Sequence, residues 1–538
     1  RPLGRPCAIS RETPRTEFDD VPVSLSRRSA MLATAAASLP LPAQAQPRRP
    51  GLRIATQGVP DSMEPINAIG NTGNRVSNQL YDTLIHRDFL GNATGNSTHL
   101  VPGIAESWER RDDRTLDVTI RDDVRFHNGR VLTVEDVAFT FSGARLWGPR
   151  PMVPRGPLFS AAFEEPEILD RRTVRFRTRS ADVTIEKRLA SWVAYVVPAS
   201  EYLAAGPDAF GLRPIGTGPY RFAEVRPGDR IVLEANDDYF RGRPAAGRVT
   251  FQSVPEVATR VSGLLAGDYD MATTLFPDHI AVLNRSREVE PRGIVIENVH
   301  LVVYQSDAPV VSDRRVRQAL NLALDRELMN RSLWGGRAVV PNGFNVPEYG
   351  ESFDPDRAPY RHEPDRARAL LAEAGYRGER LSFRTLPGWY ALALPAAQMM
   401  QQMWRAVGLN VELEVRENWS QVLSPGLQIR NWSNGFQMPD PVSTLATDWG
   451  PRGSVQQTHG WRAPAEYNDL AARLIATPDG SDRRRVFQRM VDIWIEEAPG
   501  TIMYRPYELY GVRRGIRWRP VSFEFMDLRP GNLEFASS

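Results

Sequence analysis

Apolar and polar positions change in short runs along most of the chain after Pro50, and runs of strand period are interleaved with runs of helix period. Residues 52–56 read as a first strand, and "TLDVTI" (115–120) alternates with a period of two. The following "RFHNGR" (125–130) carries Asn128-Gly129, a hairpin-turn signal. Thr133 then caps a helix, with Asp136 three residues on. "RIVLEAN" (230–236) and "RVTFQSV" (248–254) are predicted strands, and "ATRVSGLLAGDYD" (258–270) holds a helix that Gly267 ends. From Asp313 the spacing Val316, Leu320, Ala323/Leu324, Leu328 predicts one apolar helix face. Pro364 opens another helix, stopped by Gly375, with Leu370, Leu371 and Ala374 inward. Residues 395–407 repeat that logic up to Gly408, and "LNVELEV" (409–415) is the strand after it. Strands alternating with helices predict an α/β fold.

One stretch breaks the pattern. Residues 30–41 are apolar, too few for a span that needs about 20, and are flanked by Arg27-Arg28 and by Ala43-Gln44-Ala45. Charged pair, apolar run and small residues together predict an export signal cleaved after Ala45. Ser26-Arg27-Arg28 resembles a twin-arginine signal, with Ala30 where a large apolar residue is usual, so Sec export stays open. Residues 1–25 are long for the segment before such a signal, which suggests a misplaced start.

Removing that leader changes the charge picture. The whole chain of 538 residues has a formal net charge of +2, and residues 1–45 hold six Arg and four acids, so the rest is formally neutral. Without a basic surplus, nucleic-acid binding is not expected. Cys7, the only cysteine, falls in the leader, which removes disulfides, thiol nucleophiles and thiolate metal sites from consideration. No later apolar run predicts a membrane span. Lys187 is the sole lysine among many arginines. Some 490 residues are too many for one core and imply two or three domains.

"GIAESWERRDDRTLDVTIRDDVRFHNGRVLTVEDVAFTF" (103–141) resembles the signature of family 5 solute-binding proteins of ABC transporters, the dipeptide, oligopeptide and nickel binders. "IGTGPYRF" (215–222), "LEANDDYFRGRP" (233–244), the 258–270 and 313–329 segments and "PDRARALLAEAGY" (364–376) follow in the family's order. The resemblance implies a type II periplasmic-binding-protein fold: two hinged lobes with an additional domain. It places domain I in residues 47–81, 213–294 and 506–538, domain II in 82–212 and domain III in 295–505. Gly216 and Gly218 fall where the chain returns between lobes, either in strained backbone angles or in an ordinary turn. The implied partners are a permease with a separate ATPase, the implied setting is the periplasm, and a monomer without a cofactor is expected.

The segment "NWSNGFQMPDPVSTLATDWG" (431–450) is similar to the family's ligand loop, aligned by Asp440-Pro441. Peptide-binding members carry an Asp about three residues earlier for the ligand's ammonium; here stands Gln437, or Asn434 if the gap falls differently. The arginine that takes a dipeptide's carboxylate is also missing, since no Arg stands between Arg384 and Arg405. Both zwitterion anchors are thus absent, and a neutral amide does not replace a charge-assisted bond. The expected ligand is peptide-like or another organic solute, larger, modified or less charged than a free dipeptide. Candidate wall residues are Trp389, Tyr390, Trp419, Trp432, Phe436 and, on the other lobe, Phe276; each is equally compatible with a place in a core.

Other functions find less support. The seven histidines are scattered without an HExxH pair, and no P-loop or G-x-S-x-G elbow occurs, so no enzyme is expected. A metal chelate or haem-like ligand remains an alternative, as does a sensory or chaperone role on the same scaffold.

Overall fold

The computed structural model describes residues 49–536 apart from 69, 161 and 359; the export-signal reading lies outside them. A seven-stranded sheet is built from Gly51–Thr56, Tyr220–Arg226, Arg230–Ala235, Arg248–Ser253, Met271–Leu275, Val289–Val295 and Tyr507–Arg513. Gly51–Thr56 is central and pairs in parallel with Arg248–Ser253 and Met271–Leu275. A five-stranded sheet runs in the order Val411–Val415, Leu381–Thr385, Ile429–Gly435, Asn298–Tyr304, Gly500–Tyr504. A third sheet of four strands includes Ala105–Arg110, Thr115–Ile120 and Thr173–Arg177.

Asn298–Tyr304 shows why the five-stranded sheet is buried on both faces. Successive side chains point opposite ways: Val299, Leu301 and Val303 enter the core holding Tyr467, Leu470 and Phe487, while Val302 and Tyr304 enter the one holding Val316, Leu320 and Trp404. The chain passes from the seven-stranded to the five-stranded sheet through Ile296 and Glu297, and returns through Arg505 and Pro506. The two crossings lie side by side, with the Ile296 N–H donating to the Pro506 carbonyl at 3.1 Å. Paired crossings of this kind are what a hinge between two lobes requires.

Local signals mostly translate as expected. The capping box forms at Thr133 and Asp136 and starts the helix Val134–Thr140. Gly267, Gly375 and Gly408 all take positive φ just past their helices. Asn128-Gly129 makes a tight turn with Gly129 at φ 86°, although it joins an isolated bridge between Arg125 and Val131 rather than two strands.

The predicted helix from Asp313 is corrected. It is two helices, Arg314–Leu322 and Arg326–Trp334, because the Asp325 carboxylate accepts the Leu328 N–H at 2.8 Å and caps a new start. The register turns there, and Leu328 is 41% exposed rather than on the apolar face.

Gly216 and Gly218 do not adopt positive φ. They serve close approach instead: a Cβ at Gly216 would stand 1.9 Å from the Leu80 carbonyl oxygen, and one at Gly218 2.4 Å from that of Gln79. His127 fastens the same segment. Its Nδ1 accepts the Gly216 N–H and its Nε2 donates to the Gly218 carbonyl, both at 3.1 Å. Burial holds this ring neutral, with a pKa near 4.

Candidate functional site

Leu381–Thr385, Val411–Val415 and Ile429–Gly435 are the parallel strands of the five-stranded sheet. In open α/β sheets the crevice beyond the carboxyl ends of parallel strands is the usual place for a ligand. The aromatic candidates cluster there. Trp389 and Tyr390 stand in the loop after Leu381–Thr385. Trp419 follows Val411–Val415 at the start of a short helix capped by Asn418. Trp432 lies midway along Ile429–Gly435.

Trp389 meets Trp419 edge-on at 5.5 Å, and Tyr390 lies 6.2 Å from Trp419 and 5.4 Å from the His300 ring. Trp432 packs on Trp449 at 5.7 Å. Trp389 is 51% exposed, whereas Tyr390, Trp419 and Trp432 are half-buried. Broad apolar faces with solvent access are what an adaptable binding wall needs. Burial pushes the Tyr390 hydroxyl up to about 12, so it is a neutral hydrogen-bonding group at physiological pH.

Arg430 sits among these rings, its guanidinium 5.8 Å from the Trp419 centroid and 5.5 Å from that of Trp432. It donates to the Asn431 carbonyl at 3.2 Å and to His459 Nε2 at 2.8 Å, while its Nε has no partner among the described residues. His459 accepts there, so its proton is on Nδ1, which faces Gln305 Oε1 at 3.2 Å. Burial, aided by the Arg430 charge, lowers His459 to about 4.

The loop beyond Gly435 is held by its own polar residues. Asn434 is buried, its amide donating to Asp448 at 2.5 Å and its oxygen accepting from Trp449 Nε1 at 2.9 Å. Asp440 is fully buried. It receives Arg483 at 2.7 and 2.9 Å, Lys187 at 2.7 Å and the Val442 N–H at 3.0 Å. Burial opposes its ionisation, but Lys187 and Arg483 outweigh that and hold it at about 2. Both residues are therefore engaged internally. They shape the loop from behind, and their polar atoms are already taken.

Phe436 and Gln437, next in the loop, line a cavity of about 120 Å³. Its other walls include Trp192 and Lys187 from beside the third sheet, and Phe523 and Phe525 from the segment after the seven-stranded sheet. Glu297 ties these parts together at the crossing. Its carboxylate pairs with Arg87 and accepts from Ser522 Oγ, and its carbonyl accepts the Phe436 N–H at 2.9 Å. Glu524, between Phe523 and Phe525, accepts from Asn298 at 2.5 Å. Burial raises its carboxyl pKa.

Phe276 is elsewhere: it follows Met271–Leu275, packs on His279 at 5.9 Å, and lines neither the cavity nor the aromatic group. Sequence reasoning missed Arg430, Lys187, Trp192 and the Phe523–Phe525 pair. Only Arg430 had a readable signal, since it stands two residues before Trp432 and so shares its strand face.

Among the described residues no group of His, Cys, Asp or Glu is placed to hold a metal ion, and no helix is long and apolar enough to cross a membrane.

The chain has relatives along most of its length. It is 24% identical to the dipeptide-binding protein of Escherichia coli K12 over 525 residues, covering 91% of this chain and 96% of that protein. Its fold matches the dipeptide-binding protein of Pseudoalteromonas sp. SM9913 in complex with Met-Leu, with a TM-score of 0.80 at 20% identity, over 90% of this chain and all of the other. It also matches the periplasmic binding protein AgaA of A. tumefaciens R10 in complex with agropinic acid, with a TM-score of 0.78 at 21% identity, over 91% and 99% of the two chains. The fold is thus the two-lobed α/β architecture of periplasmic binding proteins with an extra domain. The model of the bacterial extracellular solute-binding proteins, family 5, matches residues 99–456, well over half of the sequence, and the chain belongs to that family.

Proposed function

We propose that this protein is a periplasmic receptor that closes two lobes over a peptide-like or related organic solute and hands it to an ABC permease driven by a separate ATPase. The observation that carries this reading is the aromatic wall of Trp389, Tyr390 and Trp419 beyond the carboxyl ends of parallel strands, with Trp432 on the next strand, beside a double crossing between lobes. The lobes would be residues 47–81, 213–294 and 506–538 on one side and 295–505 on the other, with 82–212 as the added domain. No covalent step is involved; capture and closure bury the solute, and the closed surface is what a permease meets. Export by the twin-arginine route fits the Arg27-Arg28 pair.

The cleft is read as selecting against free dipeptides. Gln437 at the cavity is neutral, Asp440 is locked to Arg483 and Lys187, and Arg384 is held by Glu414 and the carbonyls of Val422, Ser424 and Pro425. None of them is free to hold a terminal charge.

Native mass spectrometry tests the reading on protein purified without unfolding from a peptide-rich culture. The expected result is a one-to-one complex with a small organic molecule, released on unfolding. Detection of the bare chain alone, before and after exposure to concentrated culture medium, overturns it.

A further inference from the structure

The buried arginines of the described chain follow a rule with one departure. Arg75, Arg145, Arg483, Arg505 and Arg529 each face a carboxylate, and Arg384 pairs with Glu414. Arg260 and Arg326 instead donate to rings of backbone carbonyls, and Arg317 does the same with the Glu497 carboxylate 3.8 Å away. Arg430 has neither arrangement. It is 6% exposed, makes two hydrogen bonds, leaves Nε unpartnered, and has no carboxylate within ion-pair distance among the described residues.

Burying a charge without a counter-charge is unfavourable unless something completes it. Trp419 and Trp432 offer their ring faces, which soften the cost without neutralising the cation. Burial lowers the Arg430 pKa to about 10, so the guanidinium still carries its charge at neutral pH. The ring nitrogen it meets belongs to His459, which is neutral and adds no charge. The location adds the rest: this unfinished cation stands inside the aromatic wall, on the strand that leads into the loop of Phe436 and Gln437.

We infer that Arg430 is the anchor for a carboxylate of the captured solute, and that the site selects organic acids carrying an apolar or planar body beside that carboxylate. The inference rests on the cleft being the capture site. A guanidinium fork matches a carboxylate in two parallel hydrogen bonds, and the flanking indoles match a flat body. A single unneutralised cation suits one negative charge better than a phosphate dianion. Gln437 itself offers a neutral amide where peptide binders are expected to carry a carboxylate, which suits a solute whose other end is uncharged, as in an N-blocked peptide acid.

The test uses protein stripped by unfolding and refolding, with N-acetyl-Phe-Gly and its C-terminal amide as probes in calorimetry. Wild type is expected to bind the acid at least about tenfold more tightly than the amide, the range of one charge-assisted bond. Arg430→Gln is expected to abolish that preference while the ligand-free variant melts at the same temperature or higher, because an unpaired buried charge is gone. A merely structural arginine would lower the melting temperature instead. Equal binding of the two probes, a preference that survives in Arg430→Gln, or no saturable binding of the acid overturns the inference. Native mass spectrometry of Arg430→Gln separates this from the capture reading: a solute retained at unchanged occupancy leaves the cleft standing and removes the anchor.

Discussion

Replacing Asp440 by Ala destabilises the folded protein by about 3–5 kcal/mol, the range seen when one partner of a buried ion pair is removed. The carboxylate is the shared counter-charge for Arg483 and Lys187 and also caps the turn at Val442. Without it Arg483, 1% exposed at its side chain, keeps the Leu474 carbonyl at 3.2 Å and, among the described residues, only the exposed Asp479 at 2.7 Å as counter-charge. Lys187→Ala costs at most about 1 kcal/mol, because that ammonium is a quarter exposed and solvent screens it. Equilibrium denaturation in urea separates the two variants.

The same cluster sets an acid limit. Asp440 titrates near 2 in the folded chain and near 4 when unfolded. A depressed folded pKa means the contribution is complete above about pH 4 and is lost as pH falls through 2. Stability of the wild type therefore drops in that window, and Asp440→Ala shows a shallower drop there. Equal slopes for the two proteins would remove Asp440 from the account of acid unfolding.

Trp419→Ala weakens binding of the retained solute by about thirtyfold, or about 2 kcal/mol, as for an aromatic anchor at the centre of an interface. It shifts stability by no more than about 1 kcal/mol, since the ring is half-buried and its partners Trp389 and Tyr390 belong to the same wall. Calorimetry and thermal melts on the same preparation give the two numbers. A large loss of stability with unchanged binding would make the tryptophan a core residue.

Local chemistry was legible in this sequence wherever a residue acts through its own backbone neighbourhood. Thr133 with Asp136, and the glycines after three helices, are such cases. Legibility failed where a second polar residue redirected a pattern: Asp325 restarts a helix inside what reads as one apolar face. It failed again at Gly216 and Gly218, whose need is the proximity of Leu80 and Gln79, residues far away in sequence.

The site divides in the same way. Trp389, Tyr390 and Trp419 lie past the ends of neighbouring parallel strands and meet because strand order brings the loops after 385 and 415 together, with Trp432 midway along the next strand. Phe276 lies apart, just past a strand of the other sheet. Asn434 and Asp440 sit in the right loop, but their partners Asp448, Trp449, Arg483 and Lys187 decide that they act as supports. Arg430 shows the reverse: charged residues are common in this chain, and only the three-dimensional lack of both a counter-charge and a ring of carbonyls marks it out.

Small-angle scattering on stripped protein and on the same protein reloaded with its released solute tests the central claim most directly. Capture between hinged lobes predicts a smaller radius of gyration on reloading and its return on stripping. Superimposable curves with the solute demonstrably bound would contradict closure of two lobes over a ligand.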